Sequence, residues 1–126
     1  MTEYFVNEAA HQNQAVVTLQ GASRQIYGFT PFPLDAPPRG GGIYIFARPP
    51  VNPVTQNWTA LYIGHTDDFR QHVDSGHAWL ANAARLGATH VLIHFCNRGE
   101  EERREVEDDL LRTVHPPLNE LEKRAA

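Results

Sequence analysis

Between Pro31 and Gly42 the chain places four prolines and finishes on three consecutive glycines. Proline lacks an amide hydrogen and clashes with the helical turn before it, so this stretch excludes a helix and a central strand. It reads as a connector that divides the chain. Residues 1–41 become an N-terminal β-hairpin extension with its connector, 42–119 a core, and 120–126 a C-terminal tail. Before the connector, Met1 to Gln14 are polar and read as loosely attached. Ala15–Gln20 and Arg24–Thr30 have β character and are joined by Gly21-Ala22-Ser23, the pattern of a hairpin.

After the connector come two short apolar β runs, Ile43–Ala47 and Thr59–Ile63, separated by a loop with three prolines and two asparagines. Thr66-Asp67-Asp68 suits a helix start, and that helix is expected to stop near Ser75-Gly76. A second helix is expected over Ala78 to Leu86, closed by Gly87. Thr89–Cys96 is the clearest strand: Val91, Ile93 and Phe95 face one way, and His90, Leu92, His94 and Cys96 the other. Glu100 to Thr113 reads as a charged helix with Val106 and Leu110 at helical spacing, ended by His115-Pro116-Pro117. Strands and helices in this order indicate an α+β fold.

The 126 residues suffice for one small single domain. Met1 to Ala10 has neither the basic nor the apolar region of a signal peptide, and no apolar run could span a bilayer, so a cytoplasmic protein without a membrane partner is expected. A single cysteine, Cys96, allows no disulfide within the chain. Eleven basic against fifteen acidic residues give a net charge of −4, which argues against a nucleic-acid partner. Nine of the acids, however, lie between Glu100 and Glu122, which leaves room for a basic face elsewhere.

Two tripeptides carry the functional signal: Gly42-Ile43-Tyr44 on the first core strand and Tyr62-Ile63-Gly64 at the end of the second. A helix start follows at once, and Glu107 lies in a later helix twelve residues before Asn119. In this order the residues resemble the GIY-YIG nuclease superfamily, over about Gly42 to Asn119. The resemblance implies a small three-stranded antiparallel sheet flanked by helices, to which the N-terminal β-hairpin is extra. It implies a metal-dependent DNA endonuclease that hydrolyses phosphodiester bonds with one divalent ion, Mg²⁺ or Mn²⁺, and no small-molecule cofactor.

Carried onto this chain, the implied catalytic positions are Tyr44, Tyr62, Glu107 and Asn119, with Glu107 as the metal ligand and Tyr44 as the base or part of its relay. Such a reaction must deprotonate a water and meet the charge that builds on the phosphate oxygens. The family's helix arginine is replaced by His72. Arg70 lies two residues away, about 200° round a helix, and does not substitute. Three readings stay open: His72 as a pH-sensitive replacement, compensation by Arg104 one turn before Glu107, or a catalytically inactive DNA- or protein-binding module. His65 and His77 flank the site and read either as phosphate contacts, with Arg70 and Arg104, or as exposed loop histidines. His90, His94 and Cys96 share a strand face, a weaker metal-ligand pattern. The seventeen residues between the motif tyrosines read as a tolerated insertion or, with Trp58, a recognition flap.

Overall fold

Strand β4 (Gly42–Arg48) is paired on both sides, and six of its seven residues are buried. In the computed structural model, which describes residues 3–6, 15–52, 57–74 and 76–125, it lies inside one antiparallel sheet of order β1-β2-β3-β6-β4-β5. The other strands are β1 (Glu3–Val6), β2 (Ala15–Gln20), β3 (Ile26–Pro33), β5 (Thr59–Thr66) and β6 (His90–Phe95). Four helices complete the described residues: α1 (Phe69–His72), α2 (Leu80–Arg85), α3 (Glu100–Leu111) and α4 (Pro117–Ala125).

Alternation along β4 divides the core in two. Tyr44 and Phe46 pack with Tyr62, Val91, Ile93, Phe69, Val73 and Leu118. Ile43, Ile45 and Ala47 pack with Ile63, Leu92, Leu110 and the hairpin residues Val17, Leu19 and Phe29. A strand covered on both faces is apolar throughout instead of alternating. The sheet curls like half a barrel, which lets α3 touch both the hairpin and the centre. Asp109 of α3 accepts from the Ser23 amide (2.8 Å), the Ser23 hydroxyl (2.6 Å) and the Tyr27 hydroxyl (2.7 Å). Burying Val17, Leu19 and Phe29 contributes about 1.5–3 kcal/mol for each side chain, so the hairpin is part of the core.

The three-stranded sheet expected from the sequence is therefore incorrect. β3 pairs with β6 through Thr30↔Ile93, Pro31↔Leu92, Phe32↔Val91 and Pro33↔His90, and this joins the hairpin strands to the central ones. Two of the connector prolines thus lie in a strand. Leu34 donates its amide to the Thr89 carbonyl (3.3 Å), so residues of even number turn their backbone groups toward β6. The nitrogens of Pro31 and Pro33 face the other way, past the last β2 pair, Val17↔Phe29. A missing N–H has no consequence where no ladder partner exists.

Other elements are shorter or new. α1 is one turn, capped by Asp68, whose side chain accepts from the Gln71 amide (3.2 Å). It ends at Val73 (φ −94°, ψ 76°) and not near Gly76. The chain from there to Leu80 is non-helical where it is described, and the Asp74 side chain turns it by accepting from the Gly76 amide (2.9 Å). That loop carries His77 back over the sheet. Pro116 and Pro117 end one helix, but Pro117 also opens α4, since the first helical position needs no amide hydrogen. Within Met1 to Gln14, residues Glu3–Val6 pair with β2; the rest lies outside the described residues, as do residues 53–56 of the loop between the motifs.

Candidate active site

Tyr44 and Gly64 are direct partners across β4 and β5. A methyl group on Gly64 would overlap the Tyr44 ring, so glycine there is what lets the phenol lie flat across the neighbouring strand. Gly42 has a different constraint: its φ of 152° disfavours side chains, and a methyl group would strike the His94 carbonyl.

The Tyr44 hydroxyl sits between two imidazoles. His77 Nε2 lies 2.8 Å away and His72 Nε2 3.1 Å away. The two histidine rings are 5.1 Å apart and nearly perpendicular, at 87°. These groups line a pocket of about 430 Å³ with Tyr62, Asp74, Trp79 and Glu122. Burial, followed by the charges of Tyr62, Glu107 and Glu122, raises the Tyr44 pKa far above its ordinary 10, so the resting group is a phenol. Burial and the neighbouring His72 push the His77 pKa down, which keeps it neutral; Glu122 and Asp74 oppose this.

Tyr62 is one strand away. Its hydroxyl donates to the Glu122 carboxylate (3.1 and 3.2 Å). Trp79 stacks on the Tyr62 ring (6.3 Å, 22°) and donates its Nε1 hydrogen to the same carboxylate (3.2 Å). Burial and then Glu122 push the Tyr62 pKa up. Glu122 is the functional candidate that the sequence reading missed. It lies in the segment read as a tail, and only the presence of α4 reveals it three residues beyond Asn119, on the same side of the helix.

Asn119 and Glu107 are placed differently. Asn119 is buried and accepts from the Ile63 amide (2.8 Å) while donating to the Ile63 carbonyl (2.9 Å). It closes the outer edge of β5 like one residue of a further strand, and it makes no hydrogen bond to either phenol. Glu107 lies 3.7 Å from His65 Nε2. His65 pairs across the sheet with Ile43 and so faces away from Tyr44 and Tyr62. Glu107 reaches the phenols through its charge and not through a hydrogen bond. Burial, then Asp108 and Glu122, raise its pKa from 4.5 to about 7, with Arg104 opposing. The His65 pKa is pushed down by burial and by Arg103 and Arg104, so the 3.7 Å contact near neutral pH joins an imidazole biased toward its neutral form to a carboxyl that is only partly ionised.

The structure brings Tyr44, His72 and His77 into one hydrogen-bonded cluster with Tyr62 beside it. It does not bring the arginines. Arg70 donates to the Pro37 carbonyl (3.3 Å), and Arg104 pairs with Glu100 one turn back. Trp58 sets its ring edge against His90 (5.2 Å), with the core on the Ile43 face, away from the pocket. His90 meets the Thr89 hydroxyl and His94 the Gly28 carbonyl, so the two turn to separate partners.

Comparison with protein-family models, curated proteins and solved structures finds no match. The resemblance to GIY-YIG nucleases therefore stands on the motif residues themselves. No helix among the described residues is long and apolar enough to cross a membrane.

Whether these residues suit a divalent ion turns on Glu107. A carboxylate whose pKa is raised by burial and then by two neighbouring acids is a group that added positive charge would relieve. Among the described residues no three His, Cys, Asp or Glu side chains converge as a cage. Mg²⁺ keeps several waters and needs only one or two carboxylates plus substrate phosphate. Glu107 could anchor such an ion at one point, outside the lining of the Tyr44 pocket but close enough for its charge to be felt at both phenols.

Proposed function

We propose that the Tyr44 pocket hydrolyses phosphodiester bonds in DNA, served by a divalent ion that Glu107 would hold outside the pocket lining, near enough for its charge to reach Tyr44. The observation that supports this most directly is the Tyr44 oxygen, held at 2.8 and 3.1 Å between two imidazole nitrogens at the floor of a pocket. Few purposes other than proton transfer require a buried phenol bonded to two groups that can take or give a proton. The paired Gly42-Ile43-Tyr44 and Tyr62-Ile63-Gly64 motifs support the same reading.

Tyr44 would take the proton of the attacking water. His72 and His77 would hold its oxygen in place, and Tyr62, fixed by Glu122, would line the approach. Trp79 and Tyr62 offer a flat aromatic wall against a sugar or base. When bound, the ion would supply positive charge for the phosphate and ease loss of the Tyr44 proton. Asn119 would act on the backbone of β5, next to Gly64.

Supercoiled plasmid incubated with the protein and Mg²⁺ or Mn²⁺ should be nicked. Tyr44→Phe and Glu107→Ala should each lower the rate by about 100-fold or more. An uncut plasmid, or cutting that survives both substitutions, rejects the proposal.

One observation favours a second reading, an inactive binding module. No Lys or Arg lines the pocket among the described residues, whereas Asp74 and Glu122 do. Binding of DNA that persists without metal and falls steeply with salt, in the absence of nicking, would select it.

A further inference from the structure

We infer that His77 is fixed as a hydrogen-bond donor to Tyr44, and that His72 is the acceptor into which the Tyr44 proton passes. This deepens the hydrolytic reading of the pocket and rests on it.

The assignment begins at a backbone amide. The Trp79 N–H donates to His77 Nδ1 at 3.0 Å. An amide nitrogen of the main chain can only donate, so Nδ1 must present its lone pair. The single hydrogen of the neutral ring is then on Nε2. That nitrogen lies 2.8 Å from the Tyr44 oxygen, and the bond therefore runs from His77 to Tyr44. Protonating His77 would set a hydrogen on Nδ1 against the Trp79 hydrogen, so the local backbone excludes His77 as the base. Burial beside His72 disfavours the charge as well.

A phenol has one hydrogen. Because the Tyr44 oxygen receives a bond from His77, its own hydrogen is free to go to the second partner, His72 Nε2, at 3.1 Å. His72 accepts there only if its ring hydrogen is on Nδ1. Its exposed position on one-turn helix α1 imposes no contrary bond that would fix it otherwise. The groups facing the two rings are Tyr44 and Tyr62 from the sheet, Asp74 from the loop and Glu122 from α4, while Arg70 of α1 is turned to Pro37.

The step balances simply. The Tyr44 O–H bond breaks and an Nε2–H bond forms on His72, which becomes an imidazolium. The phenolate oxygen then lies between two N–H donors. It takes a hydrogen from the attacking water, whose oxygen bonds to phosphorus as the P–O bond to the leaving oxygen breaks, and that oxygen is protonated by solvent. His72 gains its charge only when the reaction needs it, which distinguishes it from a permanently charged arginine. It acts through Tyr44 and is a positioning residue, not a group that touches substrate.

Two measurements on the full chain test this. Ring-nitrogen NMR of the ¹⁵N-histidine protein should show His77 with its hydrogen on Nε2 and His72 with its hydrogen on Nδ1 above neutral pH. Plasmid nicking against pH at saturating Mg²⁺, which keeps Glu107 ionised across the range, should then separate the rings. His72→Gln, which cannot titrate, should lose about 100-fold and also lose the acid limb of the profile. His77→Gln, which keeps an N–H near the same point, should lose about 10-fold and retain that limb. Thermal melts show that each variant is folded, and the wild-type spectrum needs no variant. The inference is overturned if the two tautomers are reversed, or if the acid limb vanishes with His77 and survives without His72. Wild-type protein that leaves plasmid uncut removes the hydrolytic reading and the relay with it, whereas reversed tautomers in a nicking protein remove the relay alone.

Discussion

Replacing Glu107 by glutamine should stabilise this protein, and only on the alkaline side. The carboxylate is held in a partly buried position with Asp108 and Glu122 nearby, and its pKa rises from 4.5 to about 7. A folded-state pKa above the unfolded one means that the native state binds the proton more tightly. The stability this contributes is complete below about pH 4.5 and is lost as pH rises through about 7. The gap corresponds to a ceiling of roughly 3 kcal/mol. The side chain keeps 18% of its exposure, and solvent screening brings the expected effect to about 1–2 kcal/mol. For a chain of this length that is a gain in melting temperature of roughly 3–10 °C. Melts of wild type and Glu107→Gln at pH 4 and pH 8.5 should coincide at the lower pH and separate at the higher. Excess Mg²⁺ or Mn²⁺ at pH 8.5 should raise the wild-type melt and leave the variant nearly unchanged. Equal melts at pH 8.5, or a separation that is as large at pH 4, would refute the idea of a carboxylate short of positive charge.

Two further substitutions probe the frame around the pocket. Gly64→Ala forces a methyl group into the Tyr44 ring and should cost about 1–3 kcal/mol in chemical denaturation; it should also shift the imidazole resonances of His72 and His77, because the phenol between them moves. Asn119→Ala leaves both buried backbone groups of Ile63 without their partner and should cost about 2–4 kcal/mol, seen as faster amide exchange at Ile63.

How much of this was legible in the sequence depended on whether the controlling interaction was local. Strand alternation at Val91–Ile93 is a local pattern and places those side chains on the faces that the structure shows, and the local β character around Tyr44 and Tyr62 becomes β4 and β5. The resemblance, which puts the family's helix arginine at the position of His72, was enough to single out the ring that meets the Tyr44 hydroxyl. His77 was noted as a neighbour, but its role depends on the Trp79 amide, and the loop that sets this bond has no periodic signal. The direction in which a proline's missing hydrogen would have pointed cannot be read from composition. Composition alone therefore puts Pro31 and Pro33 in a connector and not in β3, and undercounts the sheet. Pro117 reads as a stop in sequence although it also starts a helix, and that reading leaves Glu122 in a tail. Arg104 shows the opposite limit: one turn from Glu107 in sequence, it is equally one turn from Glu100, and the exposed pair forms there.

The union of β3 with β6 bears on how the chain can be shortened. A fragment starting at Gly42 would contain every motif residue, yet it would strip the partner from His90 to Ile93 and leave a row of backbone donors and acceptors open beside Val91 and Ile93. Bare edges of this kind recruit other chains. Such a truncation should precipitate or self-associate, and the smallest well-behaved unit has to start early enough to include β2.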